Sequence, residues 1–173
     1  MRNLSAVLTF ALLSAAGFAF ADDEHCSVET LDGTYEVVVQ GTAAAGPQLP
    51  YVVGESIPLR ALNITTFDGE GHLETLVNTD VVGGLVEQGA LTSGTYSVDP
   101  DCTGSITLLA CHLPEFGGPH VHEIDIVVRP NGRSFRIIFT DIGATGGGRG
   151  VRIYSDNDLV NDGEPFCELP AGH

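Results

Sequence analysis

After residue 21 the chain alternates apolar and polar positions in short runs, separated by glycine, proline, asparagine and aspartate. In one such run His120, His122, Ile124, Ile126 and Val128 fall on one face, and Glu123 and Asp125 on the other. A period of two is that of a strand, whose successive side chains leave opposite faces. No window sustains the 3.6-residue period of a capped helix, and β-branched residues are frequent in the runs. The pattern predicts eight strands: Thr34–Gln40, Leu59–Phe67, His72–Thr79, Thr95–Asp99, Thr103–Cys111, His120–Arg129, Arg133–Asp141 and Arg149–Ser155.

The connections alternate in length. Asp68-Gly69-Glu70-Gly71, Pro100-Asp101-Cys102 and Pro130-Asn131-Gly132 are short and rich in residues that tolerate positive φ. Between these hairpins lie the long linkers 41–58, 80–94, 112–119 and 142–148. In an up-and-down meander, alternate connections fall on opposite ends, so the tight turns gather at one end and the long loops at the other. The expected fold is all-β: a single eight-stranded antiparallel up-and-down β-barrel, closed at one end and open like a calyx at the other. Closure also removes the exposed edges that an uncovered sheet would carry.

Four cysteines, Cys26, Cys102, Cys111 and Cys167, are even in number and form no C-x-x-C. They predict two disulfides. Cys102 and Cys111 flank one predicted strand, which at ~3.3 Å per residue holds them roughly 30 Å apart, too far to bond. Of the two pairings left, Cys26–Cys102 with Cys111–Cys167 is preferred. Cys102 and the start of the first strand share the tight-turn end, while Cys111 lies at the loop end.

The N-terminus reads differently from the rest. Arg2 precedes an apolar run from Leu4 to Phe20, and Ala19-Phe20-Ala21 carries small residues where a signal peptidase reads them. Residues 1–21 are expected to be a secretory signal peptide, which implies a secreted, periplasmic or extracellular protein. Residues 22–173 then form one β-barrel domain with an acidic tail from about residue 156. No later segment is long and apolar enough to insert in a membrane. Twenty-three acids face seven basic residues, all arginine, and without Arg2 the net charge is near −17. Such a field repels phosphate backbones and argues against nucleic acid as a partner.

The stretch G-T-Y-S-V-D-P-D-C-T-G-S (94–105), preceded by T-F-D-G-E-G-H-L and followed by F-T-D-I-G, resembles a family of small secreted bacterial proteins with an allene oxide cyclase-like barrel. That barrel is similar in shape to lipocalins and dirigent proteins. The resemblance covers roughly Leu31 to Arg152. It implies a barrel that binds a small apolar molecule or, as in some barrels of this shape, acts as a cyclase or isomerase. It carries over no catalytic residue.

Candidate chemistry gathers at the loop end. If Asn131-Gly132 forms a two-residue turn, Ile124 opposes Phe139 and His122 opposes Asp141; a four-residue turn places His120 opposite Asp141 instead. Either register sets histidines beside an aspartate, an arrangement able to orient a ligand or move a proton. Ile124, Ile126, Phe135, Ile137 and Phe139 are expected to line an apolar interior. Arg149, in phase with Val151 and Ile153, is expected to join the polar end, and Arg60 begins the second strand there. If the protein is an enzyme, His120, His122 and Asp141 would be its acid–base residues.

Other readings are set aside. His120-x-His122 with Asp141 offers three metal ligands, but the spacing departs from a cupin's and no second motif follows, so neither a metal nor another cofactor is expected. The run Gly143–Gly150 lacks the following helix that a phosphate loop needs and reads as a flexible loop. Asn63-Ile64-Thr65 is a glycosylation sequon by letter but falls within a strand. No nucleophile motif stands out, which argues against a hydrolase with a covalent intermediate. Binding of a small, largely apolar molecule is the leading expectation. A cyclase or isomerase working without a cofactor and a ligand-free structural envelope protein are the alternatives.

Overall fold

A computed structural model describes residues 25–45, 50–90, 92–112, 118–140 and 144–154. The expected signal peptide, Asp141, Cys167 and the acidic tail lie outside the described residues. Among the described residues nine strands are seen: β1 (Asp32–Ala44), β2 (Ser56–Asp68), β3 (His72–Val82), β4 (Leu85–Gln88), β5 (Thr92–Val98), β6 (Thr103–Cys111), β7 (Pro119–Val128), β8 (Ser134–Phe139) and β9 (Ala144–Tyr154). All pairings are antiparallel. The sheet runs β2-β1-β9-β8-β7-β6-β5-β3-β4, and β2 also pairs with β3. That last pairing closes an eight-stranded barrel with β4 as one extra strand. Among the described residues no helix is long and apolar enough to cross a membrane.

Two departures from the expected strands have physical causes. The linker 80–94 contains β4, because Gly83 and Gly84 both take positive φ and make the tight turn of a β3–β4 hairpin. Val82 pairs with Leu85 across that turn, and Thr75 pairs with Thr92 in the same register further along. β4 and β5 therefore line up end to end along β3. The second departure is β9, which begins at Ala144 and takes in most of the glycine run expected to be a loop. Its glycines serve packing. Gly150 pairs with Phe135 and Gly148 with Ile137. A Cβ on Gly150 would overlap the Phe135 ring, so the small residue makes room for the large one. Gly150→Ala should therefore destabilise the barrel by about 1–3 kcal/mol in urea unfolding; an unchanged midpoint would contradict this packing.

The tight-turn end, here the foot, is sealed. Tyr35, Phe67, Tyr96 and Phe135 pack with ring centroids 5.0–5.4 Å apart, mostly edge to face. Below them a 3-10 turn (Val28–Thr30) and the fully buried Leu31 close the opening. Tyr35 donates its hydroxyl to the Gly132 carbonyl at 2.7 Å and accepts from the Arg152 guanidinium at 2.8 Å. Tyr96 points its hydroxyl at the Leu31 and Val28 carbonyls. Both tyrosines stand in a G-T-Y-x-V motif, at Gly33–Val37 and Gly94–Val98. Tyr96 pins the N-terminal segment directly, and Tyr35 holds the Gly132 turn and the Arg152 that reaches the Thr30 carbonyl. Burial pushes both phenols above the usual tyrosine range.

Cys26 and Cys102 form a disulfide at the foot. The other expected pair, Cys111–Cys167, includes a residue outside those described, so one bridge is seen where two were expected.

Candidate functional site

The barrel encloses a cavity of about 350 Å³ that reaches from the aromatic foot to the loop end, here the mouth. Its lower wall is apolar: Val37, Leu73, Ile106, Ile124, Phe135 and Ile137. Its upper end is polar on one side, where four strands bring the polar residues, while Ala43, Ala44, Leu59 and Ala144 line the other side.

β7 contributes His120 and His122, in phase with Ile124, Ile126 and Val128 as the alternation predicts. Ile124 pairs with Phe139, the register of the two-residue turn. His122 sets its ring edge to face against Phe139 with centroids 5.5 Å apart. β6 contributes His112, one residue past its last strand residue. Ile106, Leu108 and Ala110 already point inward, and two more residues carry that face to His112.

β3 contributes Asp80, and a β-bulge puts it there. Leu73 and Thr75 face inward, and strict alternation would next turn Val77 and Thr79 inward. Instead Thr65 pairs with Thr75 and Ile64 with Val77, so one extra residue, Leu76, reverses the phase. Val77 is consequently 54% exposed, while Asn78 and Asp80 are each 5% exposed. β4 contributes Glu87, only 2% exposed and the direct cross-strand partner of Asp80.

These side chains touch. His112 Nδ1 lies 2.5 Å from Glu87 Oε2 and 3.7 Å from Asp80 Oδ2. The His112 ring stacks on His120 with centroids 5.0 Å apart. His120 Nε2 and His122 Nε2 are 3.0 Å apart, and His120 Nδ1 lies 2.8 Å from the Gly118 carbonyl oxygen. Burial pushes the Asp80 carboxyl above the ordinary carboxylate range, although His112 and a hydrogen bond from Asn78 pull it down. Nearby, Asn63 Oδ1, Asn78 Oδ1 and Thr92 Oγ1 are buried in the cavity wall without a hydrogen-bond partner among the described residues.

No protein family, curated protein or solved structure matches this chain. The site therefore has to be read from its own chemistry.

Of the residues expected at the site, His120, His122, Ile124, Phe135, Ile137 and Phe139 line the cavity. Ile126 is buried among the core side chains but is not part of the lining. Arg149 is a correction. In β9 the inward face is taken by Gly148, Gly150 and Arg152, so Arg149 points out and is exposed. Arg60 is likewise exposed on β2. Asn63, the sequon residue, faces the cavity rather than the surface. Three residues were missed: Asp80, Glu87 and His112. The Gly83-Gly84 pair between apolar runs signals the hairpin that carries Glu87, and the phase from Ile106 signals His112. Nothing in the local pattern announces the bulge that turns Asp80 inward.

Proposed function

We propose that this chain is an exported barrel that binds a small, largely apolar molecule with one polar end. The observation that carries the reading is the cavity: about 350 Å³, largely apolar, with a polar cluster on one side of the mouth. Specific ligand sites have this composition, mostly apolar walls with a few placed polar groups. The buried oxygens of Asn63, Asn78 and Thr92, without partners among the described residues, add support, because buried polar groups ordinarily find partners. An open interior also weighs against a barrel packed solid for a purely structural role. The Cys26–Cys102 bridge is compatible with an exported protein. Kinship with allene oxide cyclase-like barrels remains part of this proposal, resting on the turn motifs alone.

Thermal melts against fatty acids, terpenoids and polyketides test the reading. At saturating ligand, about 100 times Kd, a binder gains roughly 2.7 kcal/mol of apparent stability. Leu108→Phe, which fills the cavity from a half-buried wall position, should abolish the shift while leaving the unliganded melt nearly unchanged. No shift with any member of the panel would count against the proposal.

The second reading, a cyclase or isomerase, is favoured by one feature: a histidine in contact with carboxylates at the polar end of an apolar chamber. The chamber would hold a substrate folded, and the pair would relay a proton. His112→Asn should then abolish turnover while ligand affinity stays within about tenfold.

A further inference from the structure

We propose that His112, His120 and His122 bind a divalent transition metal at the cavity mouth, with Glu87 orienting His112. Each histidine offers one ring nitrogen, and the three nitrogens lie within 4.8 Å of one another. A tetrahedral zinc with Zn–N bonds of 2.0–2.1 Å needs nitrogens about 3.3 Å apart. His120 and His122 stand at 3.0 Å, close to that span. His112, stacked on His120 at 5.0 Å and edge to face with His122 at 6.3 Å between centroids, has to tilt toward both and close by up to about 1.5 Å to reach it.

The surroundings of the rings favour ligation. A carbonyl only accepts hydrogen bonds, so His120 Nδ1, 2.8 Å from the Gly118 oxygen, carries the proton. In the neutral ring the lone pair then sits on Nε2, the atom that faces His122. His112 Nδ1 meets the Glu87 carboxylate in the same way, which puts its lone pair on Nε2 as well. A histidine whose second nitrogen donates to a carbonyl or carboxylate is the usual outer-shell arrangement at metal centres.

Charge supports the same conclusion independently. Asp80 and Glu87 are directly opposed across β3 and β4, both buried, and like charges in that position repel. The titratable groups that face Asp80 among the described residues are His112, Glu87 and His122. A dication beside two buried carboxylates offsets the cost of burying them. Three neutral imidazoles suit zinc, copper or nickel rather than magnesium or calcium. With three protein ligands, the fourth position would face the cavity, open to water or to a ligand's polar end.

The test uses the mature, tag-free chain, stripped with chelator and titrated with zinc chloride by calorimetry. One zinc per chain at micromolar Kd or tighter is expected, with a rise in melting temperature. His120→Ala with His122→Ala should lower affinity at least 100-fold, and Glu87→Gln about tenfold or more. His72→Ala, at an exposed histidine on the foot, should change nothing. Histidine nitrogen NMR of the unmutated protein guards against misfolded variants: zinc should shift the signals of His112, His120 and His122 and leave His72 alone. Substoichiometric binding, or binding that moves only other histidines, would overturn the proposal. Because apolar-ligand binding is read separately with stripped protein, failure of one proposal leaves the other standing.

Discussion

Replacing Phe67 by alanine is expected to lower the unfolding free energy by about 3–5 kcal/mol. Phe67 is 1% exposed and packs edge to face against Tyr35, Tyr96 and Phe135, so it touches all three other rings of the foot. The loss combines three contributions. The transfer energy of a buried ring goes, a void opens under rings fixed by backbone hydrogen bonds, and each aromatic pair forfeits about 0.5–1.5 kcal/mol beyond its area. Collapse to fill the void is restricted because Tyr35 and Tyr96 are held by their hydroxyls to Gly132, Leu31 and Val28. Urea unfolding should show a lower midpoint with an unchanged slope. Val127→Ala, on the exposed outer face, should stay within about 0.5 kcal/mol. A Phe67→Ala loss below about 1 kcal/mol would mean that the foot is not packed as described. Phe67 also lines the cavity floor, so the variant should accept longer apolar ligands than the parent.

What the sequence disclosed, and what it concealed, follows from how local each signal is. The phase of β7 and the boundaries of β6 rest on strict alternation and nearby turn residues, which act over a few residues, while the pairing of Ile124 with Phe139 is one of the two registers that Asn131-Gly132 left open. The Cys26–Cys102 bridge follows from putting tight turns at one end. Asp80 could not be placed in this way. Its inward direction depends on Leu76 standing as an extra residue against β2, a property of two strands together rather than of either alone. β9 starts earlier than the pattern predicts because glycine is a poor strand former on its own. Gly148 and Gly150 are tolerated there because Ile137 and Phe135 occupy the space they vacate.

The same distinction separates fold from candidate site. At the foot, side chains find partners within the barrel: tyrosine to carbonyl, Arg152 to Tyr35 and Thr30, ring to ring. At the mouth, local rules are broken. Two carboxylates oppose each other in the buried wall, two histidine Nε2 atoms converge, and amide and hydroxyl oxygens are buried without partners among the described residues. Departures from local consistency of this kind concentrate where a protein binds or reacts. Tyr51, whose hydroxyl donates to the Gly83 carbonyl, ties the loop before β2 to the β3–β4 turn and so steadies the wall that carries Asp80 and Glu87.

Removing the foot disulfide should cost about as much stability as removing Phe67 and yet leave the mouth untouched. Cys26 and Cys102 are 76 residues apart, and the entropy of closing so long a loop in the unfolded chain corresponds to about 4 kcal/mol. Cys26→Ala with Cys102→Ala should therefore unfold at markedly lower urea concentration. Native folding at 25 °C should persist, because backbone bonds hold the turn without the bridge: Cys102 N–H donates to the Asp99 carbonyl and its own carbonyl accepts from Val128, both at 2.8 Å. Position 102 has a further property. Cys102 has a φ of 68°, a left-handed conformation that costs an L-residue roughly 1–2 kcal/mol and glycine almost nothing. Cys26→Ala with Cys102→Gly should accordingly recover about 1 kcal/mol relative to the double alanine variant. Zinc and apolar-ligand affinities of both variants should match the parent within twofold, since the bridge lies at the far end of the barrel from His112, His120 and His122. Equal stability of bridged and bridgeless protein would show that the N-terminal segment is held by Tyr96 and Arg152 alone; lost affinity at the mouth would show that the two ends of the barrel are coupled.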